Sequence, residues 1–353
     1  MYIILAIIVF GVLVATHELG HFAAAKACGV RVNEYAIGMG PAIYKKQKGE
    51  TVYSLRCLPL GGFCAMEGED GDSDDPRSFQ VQPVWKRLII LVAGAAMNFL
   101  TGLIIAVILF SGASAFVTPE IIELADGFPE DGERGLMVGD TIRSINGERV
   151  WYSSDFTLLM GRTGGRPVDV VVIRNGEKVK LERYDLQARE YADSDGNVTV
   201  RYGVSFKVAK AGILDRLRYS VYTACNFVRL VRFSLADLVH GAVGLKDLSG
   251  PVGIVSAIND LGHTSSTVAA AISNIAFLCA FIAVNLAVMN LLPIPALDGG
   301  RIFLLIVTWV VEKIIRRQIN PKYEGYIHAA GLVLLMGLMV VVMFSDVVKL
   351  FHG

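Results

Sequence analysis

The sequence predicts a polytopic α-helical membrane protein with four transmembrane helices, an inserted extracytoplasmic α+β domain and a membrane-associated β-hairpin region. Three observations lead to this fold class. Hydrophobic residues make up 53% of the 353 residues and charged residues only 19%, so the chain is more apolar than an average soluble domain. The apolar residues cluster in four stretches, each long enough to span a bilayer. Between the second and third stretches, strand-like runs are separated by Asn-Gly turns, which are typical of hairpins.

Composition and charge exclude several other classes of protein. The chain has 33 Lys and Arg against 33 Asp and Glu, so a nucleic-acid partner held by bulk positive charge is not expected. Five cysteines are too few for a disulfide scaffold, and the high apolar content excludes a disordered chain. The expected surroundings of the chain are therefore a lipid bilayer.

The first span is predicted at about residues 1–27. A cleaved signal peptide is the alternative, but no basic segment precedes the apolar run and charged residues lie inside it, so we expect a retained helix. The loop that follows, at 30–86, contains two segments, 32–40 and 51–63, that could form a membrane-associated β-hairpin. A plain cytoplasmic loop is the alternative for these residues.

The second span is predicted at about 88–112, inside a run without charged residues that extends to Pro119. Asn98 is a lone polar residue within this span. A hydrogen bond to a neighbouring helix is a simpler interpretation of Asn98 than a catalytic role. The N-terminal membrane half is predicted to comprise residues 1–119.

A small mixed domain is predicted at 120–206. A Gly-Leu-Met-Val-Gly-Asp run at 135–140 precedes an alternating strand that an Asn-Gly turn closes. A short helix is expected at 155–161, and a second strand pair with its own Asn-Gly turn follows at 168–181.

A helical connector is predicted at 207–260. Over 211–242, apolar residues recur every three or four positions with Asp and Arg between them, which predicts an amphipathic helix. This helix could lie in the membrane interface or brace the membrane helices, and an ordinary packed helix fits the pattern equally well.

The C-terminal membrane half is predicted at 261–353, with spans at about 266–292 and 325–346. The apolar run at 302–311 is too short to cross, because it rises only about 15 Å as a helix. Lys and Arg are concentrated between the first two spans and between the last two, so both loops should face the cytoplasm. Both termini and the segment 120–260 then lie outside the plasma (inner) membrane.

A His-Glu-Leu-Gly-His run at 17–21 carries the chemistry of the first span. Histidines at i and i+4 lie on one helix face, where both imidazoles can bind one zinc ion and the intervening Glu18 can act on its water. Ionisable side chains in an apolar segment are costly unless they are paired or bound to metal. A histidine pair at the membrane edge, solvated by water, is the less favoured alternative.

A third zinc ligand must come from another part of the chain. Asp298 is the only Asp or Glu between Leu261 and Val311. It follows two prolines and precedes two glycines, so its surroundings cannot be continuous helix and should line the protein interior or a wet cavity. His328 is the rival ligand, whereas the remaining histidines are expected at the surface: His240, His263 and His352.

Together, HELGH in the first span, a "GL..GD.I..ING" module after the second and NLLPIPALDGG at the third resemble the site-2 protease family of intramembrane zinc metalloproteases. The similarity is greatest to the bacterial branch that cleaves membrane-bound anti-sigma factors. It extends over essentially the whole chain through IGMGP, PLGGF and LSGPVGI. The module at 120–206 resembles a PDZ domain, which would bind a peptide C-terminus, and a purely steric or structural role is the alternative. The best-known Gram-negative members carry two such modules, and this chain has one.

The resemblance implies one Zn²⁺ per chain and a set of site residues. These are the zinc ligands His17, His21 and Asp298, the catalytic base Glu18, and the substrate-binding residues Asn290, Pro293 and Pro295. The family assigns a membrane-associated β-element to substrate binding. The hairpin edge, with Gly38 and Gly40, would therefore accept the unwound substrate as an added strand.

The expected function is a zinc metalloendopeptidase of regulated intramembrane proteolysis, with its active site toward the cytoplasmic face. Its partners would be single-pass membrane proteins, such as pre-trimmed anti-sigma factors or remnant signal peptides. A catalytically inactive PDZ adaptor would show a damaged HExxH or LDG motif, and both are intact. A zinc transporter would need polar residues along several spans, and the second and fourth spans have almost none.

Overall fold

The computed structural model describes residues 2–69, 71, 73–129, 134–192, 198–244, 250–317 and 322–352. The helices, in chain order, are α1 (Tyr2–Cys28), α2 (Val84–Phe110), α3 (Ser153–Gly161), α4 (Ile213–Val239), α5 (Pro251–Thr264), α6 (Val268–Asn290), α7 (Asp298–Ile315) and α8 (Lys322–His352). The strands are β1 (Val32–Lys48), β2 (Thr51–Met66), β3 (Ala115–Leu124), β4 (Thr141–Ile145), β5 (Glu148–Arg149), β6 (Val168–Arg174), β7 (Glu177–Tyr184), β8 (Arg189–Ala192), β9 (Val198–Arg201) and β10 (Val204–Lys210). The chain divides into a unit of residues 1–110 with 223–353 and a unit of residues 111–222.

In the part of the chain that the structure describes, four helices are long and apolar enough to cross a membrane, which confirms the predicted number of spans. The spanning segments are Ile7–Cys28, Val84–Phe110, Val268–Asn290 and Gly325–Lys349. The second begins before the predicted residue 88, because Pro83 directly precedes α2 and proline is favoured at a helix start. It also ends earlier than the apolar run, whose last residues form β3 instead.

Small residues bring α2 close to both neighbouring membrane helices. A Cβ atom added to Gly20 of α1 would lie 2.3 Å from the backbone oxygen of Ala93. Toward the other end of α2, a Cβ atom on Gly102 would lie 2.9 Å from the backbone oxygen of Ala280 in α6. Such close contacts are the usual basis of helix packing in membranes. They place α2 between the helix that carries HELGH and the helix that leads toward Asp298.

Strands β1 and β2 form the predicted hairpin as a twisted sheet that is longer than expected. Tyr35 has two partners, Tyr53 on one side and Cys64 on the other, so the start of β1 is flanked by both halves of β2. The Tyr35 hydroxyl donates to the backbone oxygen of Ala15 at 2.8 Å, which ties the sheet to α1. β1 continues past the predicted end at residue 40, because Gly38 and Gly40 adopt positive φ and turn the strand without ending it.

An acidic loop after β2 links the sheet to α7. Glu67 accepts hydrogen bonds from Ser73 at 2.6 Å and from Asn33 of β1 at 2.8 Å, and these bonds hold the pKa of Glu67 below its ordinary value. Two residues further along, Glu69 pairs with Arg301 of α7. The loop therefore connects the hairpin to the helix that begins at Asp298.

The N-terminus of α5 is capped by a carboxylate from α8. Asp346 accepts hydrogen bonds from the backbone nitrogens of Gly250 and Gly253, each at 2.9 Å, and its side chain is buried. These two glycines belong to the LSGPVGI segment, of which Leu248 and Ser249 lie outside the described residues. A carboxylate at a helix N-terminus satisfies backbone donors that have no partner within the helix.

The second unit is built around an antiparallel sheet with strand order β10-β3-β4-β6-β7, with β5 paired to β4. Asp140, the last residue of the Gly-Leu-Met-Val-Gly-Asp run, is fully buried. It accepts hydrogen bonds from the Met137 backbone at 2.9 Å and from the Arg174 guanidinium at 2.8 Å. The sheet extends beyond residues 120–206 at both ends, because β3 and β10 pair with each other from residue 115 to residue 210.

Candidate metal centre

Three donor atoms from two helices converge in the first unit. His17 and His21 lie one turn apart on the same face of α1, and Asp298 is the first residue of α7. Each histidine Nε2 is 3.2 Å from Asp298 Oδ2, and the two Nε2 atoms are 3.1 Å apart. The three atoms thus form a nearly equilateral triangle.

The triangle has the dimensions of a zinc site. Zinc binds imidazole nitrogen and carboxylate oxygen at about 2.0–2.2 Å, so neighbouring ligands of a tetrahedral ion lie about 3.3 Å apart. Two imidazoles and one carboxylate also match the donor set of catalytic zinc, which leaves one position open. The residues present therefore fit a zinc ion.

The protonation of His21 supports the same conclusion. Its Nδ1 atom lies 2.8 Å from the backbone oxygen of Ile90 in α2. A carbonyl oxygen can only accept, so Nδ1 donates, and in the neutral ring Nε2 carries the lone pair that a metal ion needs. Asp298 Oδ2 is buried, and its near polar neighbours among the described residues are the two Nε2 atoms. Such a buried group of nitrogen and oxygen atoms suits a bound cation.

Glu18 lies between the triangle and the sheet. Its Cγ atom would be 3.2 Å from a Cβ atom on Gly62 of β2, and its carboxylate faces the backbone amide of Cys64. Glu18 is therefore beside the cluster and next to a strand.

A profile of peptidase family M50 matches residues 5–338. The chain belongs to this family. Its Bacillus subtilis relative, the regulator of sigma-W protease RasP, is 29% identical over 432 aligned positions that cover 99% of each chain. The zinc metalloprotease RasP of Bacillus licheniformis is similar, at 29% over 433 positions and 99% of each chain. A Clostridium perfringens protein provisionally named a zinc metalloprotease is 35% identical over 353 residues, or 99% of each chain.

Membership in the M50 family confirms several expectations from the sequence. The chain is an intramembrane zinc metalloprotease of the site-2 protease family and a multi-pass membrane protein. Its zinc cofactor has a candidate site at His17, His21 and Asp298.

In this M50 protein, Gly94 of α2 makes room for both imidazoles. A Cβ atom at this position would lie 2.3 Å from His21 Nε2 and 2.7 Å from His17 Cε1. No side chain larger than hydrogen fits there without moving a donor atom.

Glycines also explain how α7 brings Asp298 to the M50 site. Cβ atoms on Gly299 and Gly300 would lie 2.3 Å from the Leu292 oxygen and 2.2 Å from the Ile294 oxygen. The start of α7 therefore packs directly against the non-helical loop 291–297, as expected from its prolines. Asp298 itself is the first residue of α7, because Gly299 and Gly300 are helical and do not interrupt the helix after it.

The residues predicted to bind substrate do not all lie at the metal cluster. Asn290 Nδ2 lies 3.4 Å from His17 Nδ1, at the metal cluster. Pro293 is exposed, whereas Pro295 packs against α8, where a Cβ atom on Gly331 would lie 2.3 Å from its Cβ. Gly38 is buried against the backbone of Leu58, whose oxygen would be 2.5 Å from an added Cβ.

Gly40 and His328 both lie away from the three donor atoms. A Cβ atom on Gly40 would lie 3.0 Å from the Cys57 sulfur, so its near neighbours belong to β2. His328, the rival ligand, lies on α8 and accepts from the backbone nitrogen of Ala296 through Nδ1 at 3.3 Å. It is outside the cluster formed by the other two histidines and Asp298.

Asn98 lies closer to the chemistry than the sequence indicated. It makes the expected contact between helices, but its partner is the metal-ligand candidate His17, whose Nδ1 is 3.5 Å from Asn98 Nδ2. The sequence feature that points to this contact is the position of Asn98, one helical turn after Gly94 on α2.

Proposed function

We propose that this protein hydrolyses single-pass membrane proteins within or near their transmembrane segments, with zinc held by His17, His21 and Asp298. The observation that carries the proposal is the convergence of these three donors beside Glu18. Cleavage follows removal of the substrate's outer domain by another protease. The name of the B. subtilis relative, regulator of sigma-W protease, favours membrane-bound anti-sigma factors as substrates, and remnant signal peptides are the second class.

The basic loops support a cytoplasmic position for the active site. Lys and Arg are frequent between the first and second spans and again between the third and fourth, which by the positive-inside rule puts both segments in the cytoplasm. Both termini and the segment 120–260 are then extracytoplasmic. The HELGH motif lies in the second half of α1, so cleavage near the inner face would release a cytosolic fragment.

The edge of β2 supports strand addition as the mode of substrate binding. Within the part of the chain that the structure describes, residues 62–65 pair with β1 on one side only. A substrate helix hides its carbonyl groups in its own hydrogen bonds, so it must unwind before hydrolysis. An extended segment on this edge would run past Glu18 with its backbone accessible.

The chemistry follows from the positions of the side chains. A zinc ion in this site supplies Lewis acidity, which acidifies water and polarises a carbonyl group. Glu18 accepts a proton from the attacking water while the oxygen bonds to the carbonyl carbon. It then donates this proton to the leaving nitrogen as the C–N bond breaks. His21 holds its orientation through Nδ1, because the Ile90 carbonyl fixes the ring.

The remaining residues complete the proposed site. Asn290, half-buried beside the cluster, contacts the substrate backbone, and Pro293 and Pro295 shape the wall of the binding cleft. Gly38 and Gly40 give the sheet the curvature that its substrate-binding edge requires. The PDZ-like domain binds the new C-terminus of a trimmed substrate.

The test is cleavage of a single-pass reporter whose outer domain is already trimmed, co-expressed with the full-length chain. A cytosolic fragment is expected with the wild type and not with Glu18→Gln, which should keep its zinc. Asp298→Asn should lose both zinc and cleavage. Fragment formation that continues with Glu18→Gln, or full zinc binding by Asp298→Asn, would refute the assigned roles.

A further inference from the structure

We propose that Asn98 is a positioning residue for His17: its side-chain oxygen accepts the Nδ1 proton of His17 and thereby directs the Nε2 lone pair toward zinc. The inference rests on the proposed role of His17 as a ligand. It goes further because Asn98 lies on α2, a helix that contributes no metal ligand.

The burial of Asn98 shows that its amide has a structural partner. The residue is 1% exposed and lies in the middle of an apolar membrane helix. A buried amide without hydrogen bonds destabilises the folded state, because its polar atoms lose their contacts with water. Its Nδ2 lies 3.5 Å from His17 Nδ1, and its Oδ1 lies 3.4 Å from the Thr16 hydroxyl.

The Thr16 hydroxyl determines which way the Asn98 amide points. This hydroxyl has one proton, and the Leu13 backbone oxygen, 3.0 Å away, takes it. Toward Asn98 the Thr16 oxygen can therefore only accept, so it must face the NH₂ group. The oxygen and nitrogen of an amide are assigned from the hydrogen-bond network. The network therefore favours the flipped amide, in which Oδ1 and Nδ2 exchange places and the oxygen faces His17 Nδ1.

This orientation gives both histidines the same arrangement. His21 Nδ1 donates to the Ile90 carbonyl, and His17 Nδ1 donates to the Asn98 oxygen, so each Nε2 carries a lone pair. Ile90, Gly94 and Asn98 follow one another at intervals of four residues along one face of α2. The first and last hold an imidazole each, and Gly94 provides the space between them.

Asn290 is the competing partner for the same nitrogen. Its amide lies 3.4 Å from His17 Nδ1, but Asn290 is half-buried and has no Thr16 to orient it. One N–H proton has one principal acceptor. With Asn98 in that position, Asn290 remains available to a substrate, so substitutions of the two residues should have different effects.

The experiment measures zinc affinity by chelator competition on the full-length protein in detergent. Asn98→Leu removes the acceptor at similar volume and should weaken zinc binding about 10–100-fold, as expected for loss of a partner that orients a ligand. Asn98→Asp keeps an acceptor oxygen and should bind zinc far more tightly than Asn98→Leu. Asn290→Leu should keep wild-type zinc affinity while reporter cleavage falls.

Thr16 provides a second, milder test if Asn98→Leu does not fold. Thr16→Val removes the acceptor that orients the amide and should weaken zinc binding. Thr16→Ser keeps this hydroxyl and should bind zinc as tightly as the wild type. Wild-type affinity in both Asn98→Leu and Thr16→Val would overturn the inference. His17→Ala separates the two proposals, because zinc retained by that variant would refute the ligand assignment itself.

Discussion

Gly94→Ala should weaken zinc binding strongly without unfolding the protein. The new Cβ atom would lie 2.3 Å from His21 Nε2 and 2.7 Å from His17 Cε1. Carbon and nitrogen atoms in contact normally stay about 3.5 Å apart, so the rings must retreat by about 1 Å. Zinc–ligand distances tolerate deviations of about 0.2 Å. At least one imidazole would therefore cease to bind.

The size of the effect follows from the binding energy of one ligand. Structural zinc sites with four protein ligands bind with roughly 10–16 kcal/mol, or about 2.5–4 kcal/mol per ligand. Loss of one imidazole should then weaken zinc binding roughly 100–1,000-fold. Alanine is about 1 kcal/mol more favourable than glycine inside a helix, so helix propensity does not oppose the substitution.

The assay is zinc stoichiometry and affinity of the purified protein, with two matched glycine controls. Gly337→Ala on α8 meets no atom within 4 Å and should behave as wild type. Gly102→Ala on α2 would place a Cβ atom 2.7 Å from Val284 Cγ2, so it should lower the melting temperature but leave zinc bound. If Gly94→Ala kept zinc as tightly as Gly337→Ala, the proposed geometry of the site would be refuted.

Three further substitutions test other parts of the structure. Asp140→Ala removes the buried carboxylate that pairs with Arg174 and should lower the free energy of unfolding of residues 111–222 by about 3–5 kcal/mol. Limited proteolysis of the full chain should then cleave this unit, while the zinc content stays unchanged. Gly331→Ala pushes on Pro295 before α7 and should lower reporter cleavage by up to about 100-fold with normal expression; unchanged cleavage would contradict this. Asp346→Ala removes the cap of α5 and should lower the free energy of unfolding by about 1–3 kcal/mol in thermal unfolding, with Asp346→Asn less severe.

The sequence predicted those features that depend on local spacing. Four apolar segments are a matter of length and composition, and the structure contains four such helices. His17 and His21 share a face because an α-helix repeats every 3.6 residues. Asp298 could be predicted for a different reason: it is an isolated carboxylate in a long apolar region, and such a residue requires a polar partner.

The sequence did not predict contacts that depend on how helices meet. Asn98 was expected to bond to some neighbouring helix, but nothing local identifies His17 as its partner. The β1–β2 sheet extends beyond the predicted segments 32–40 and 51–63, because the first strand turns at Gly38 and Gly40 and continues. In both cases the deciding interaction joins residues far apart in sequence.

The α2 helix shows why a metal site is encoded by more than its ligands. The two histidines of α1 are four residues apart, and the residues of α2 that face them repeat at the same interval. Because the helices touch at Gly20 and Ala93, this matched spacing keeps each imidazole opposite one acceptor, with Gly94 between them. A change at Gly94 or Asn98 should therefore act on zinc binding through the position of His17 or His21, whereas Ile90 acts through its backbone oxygen, which a side-chain substitution leaves in place.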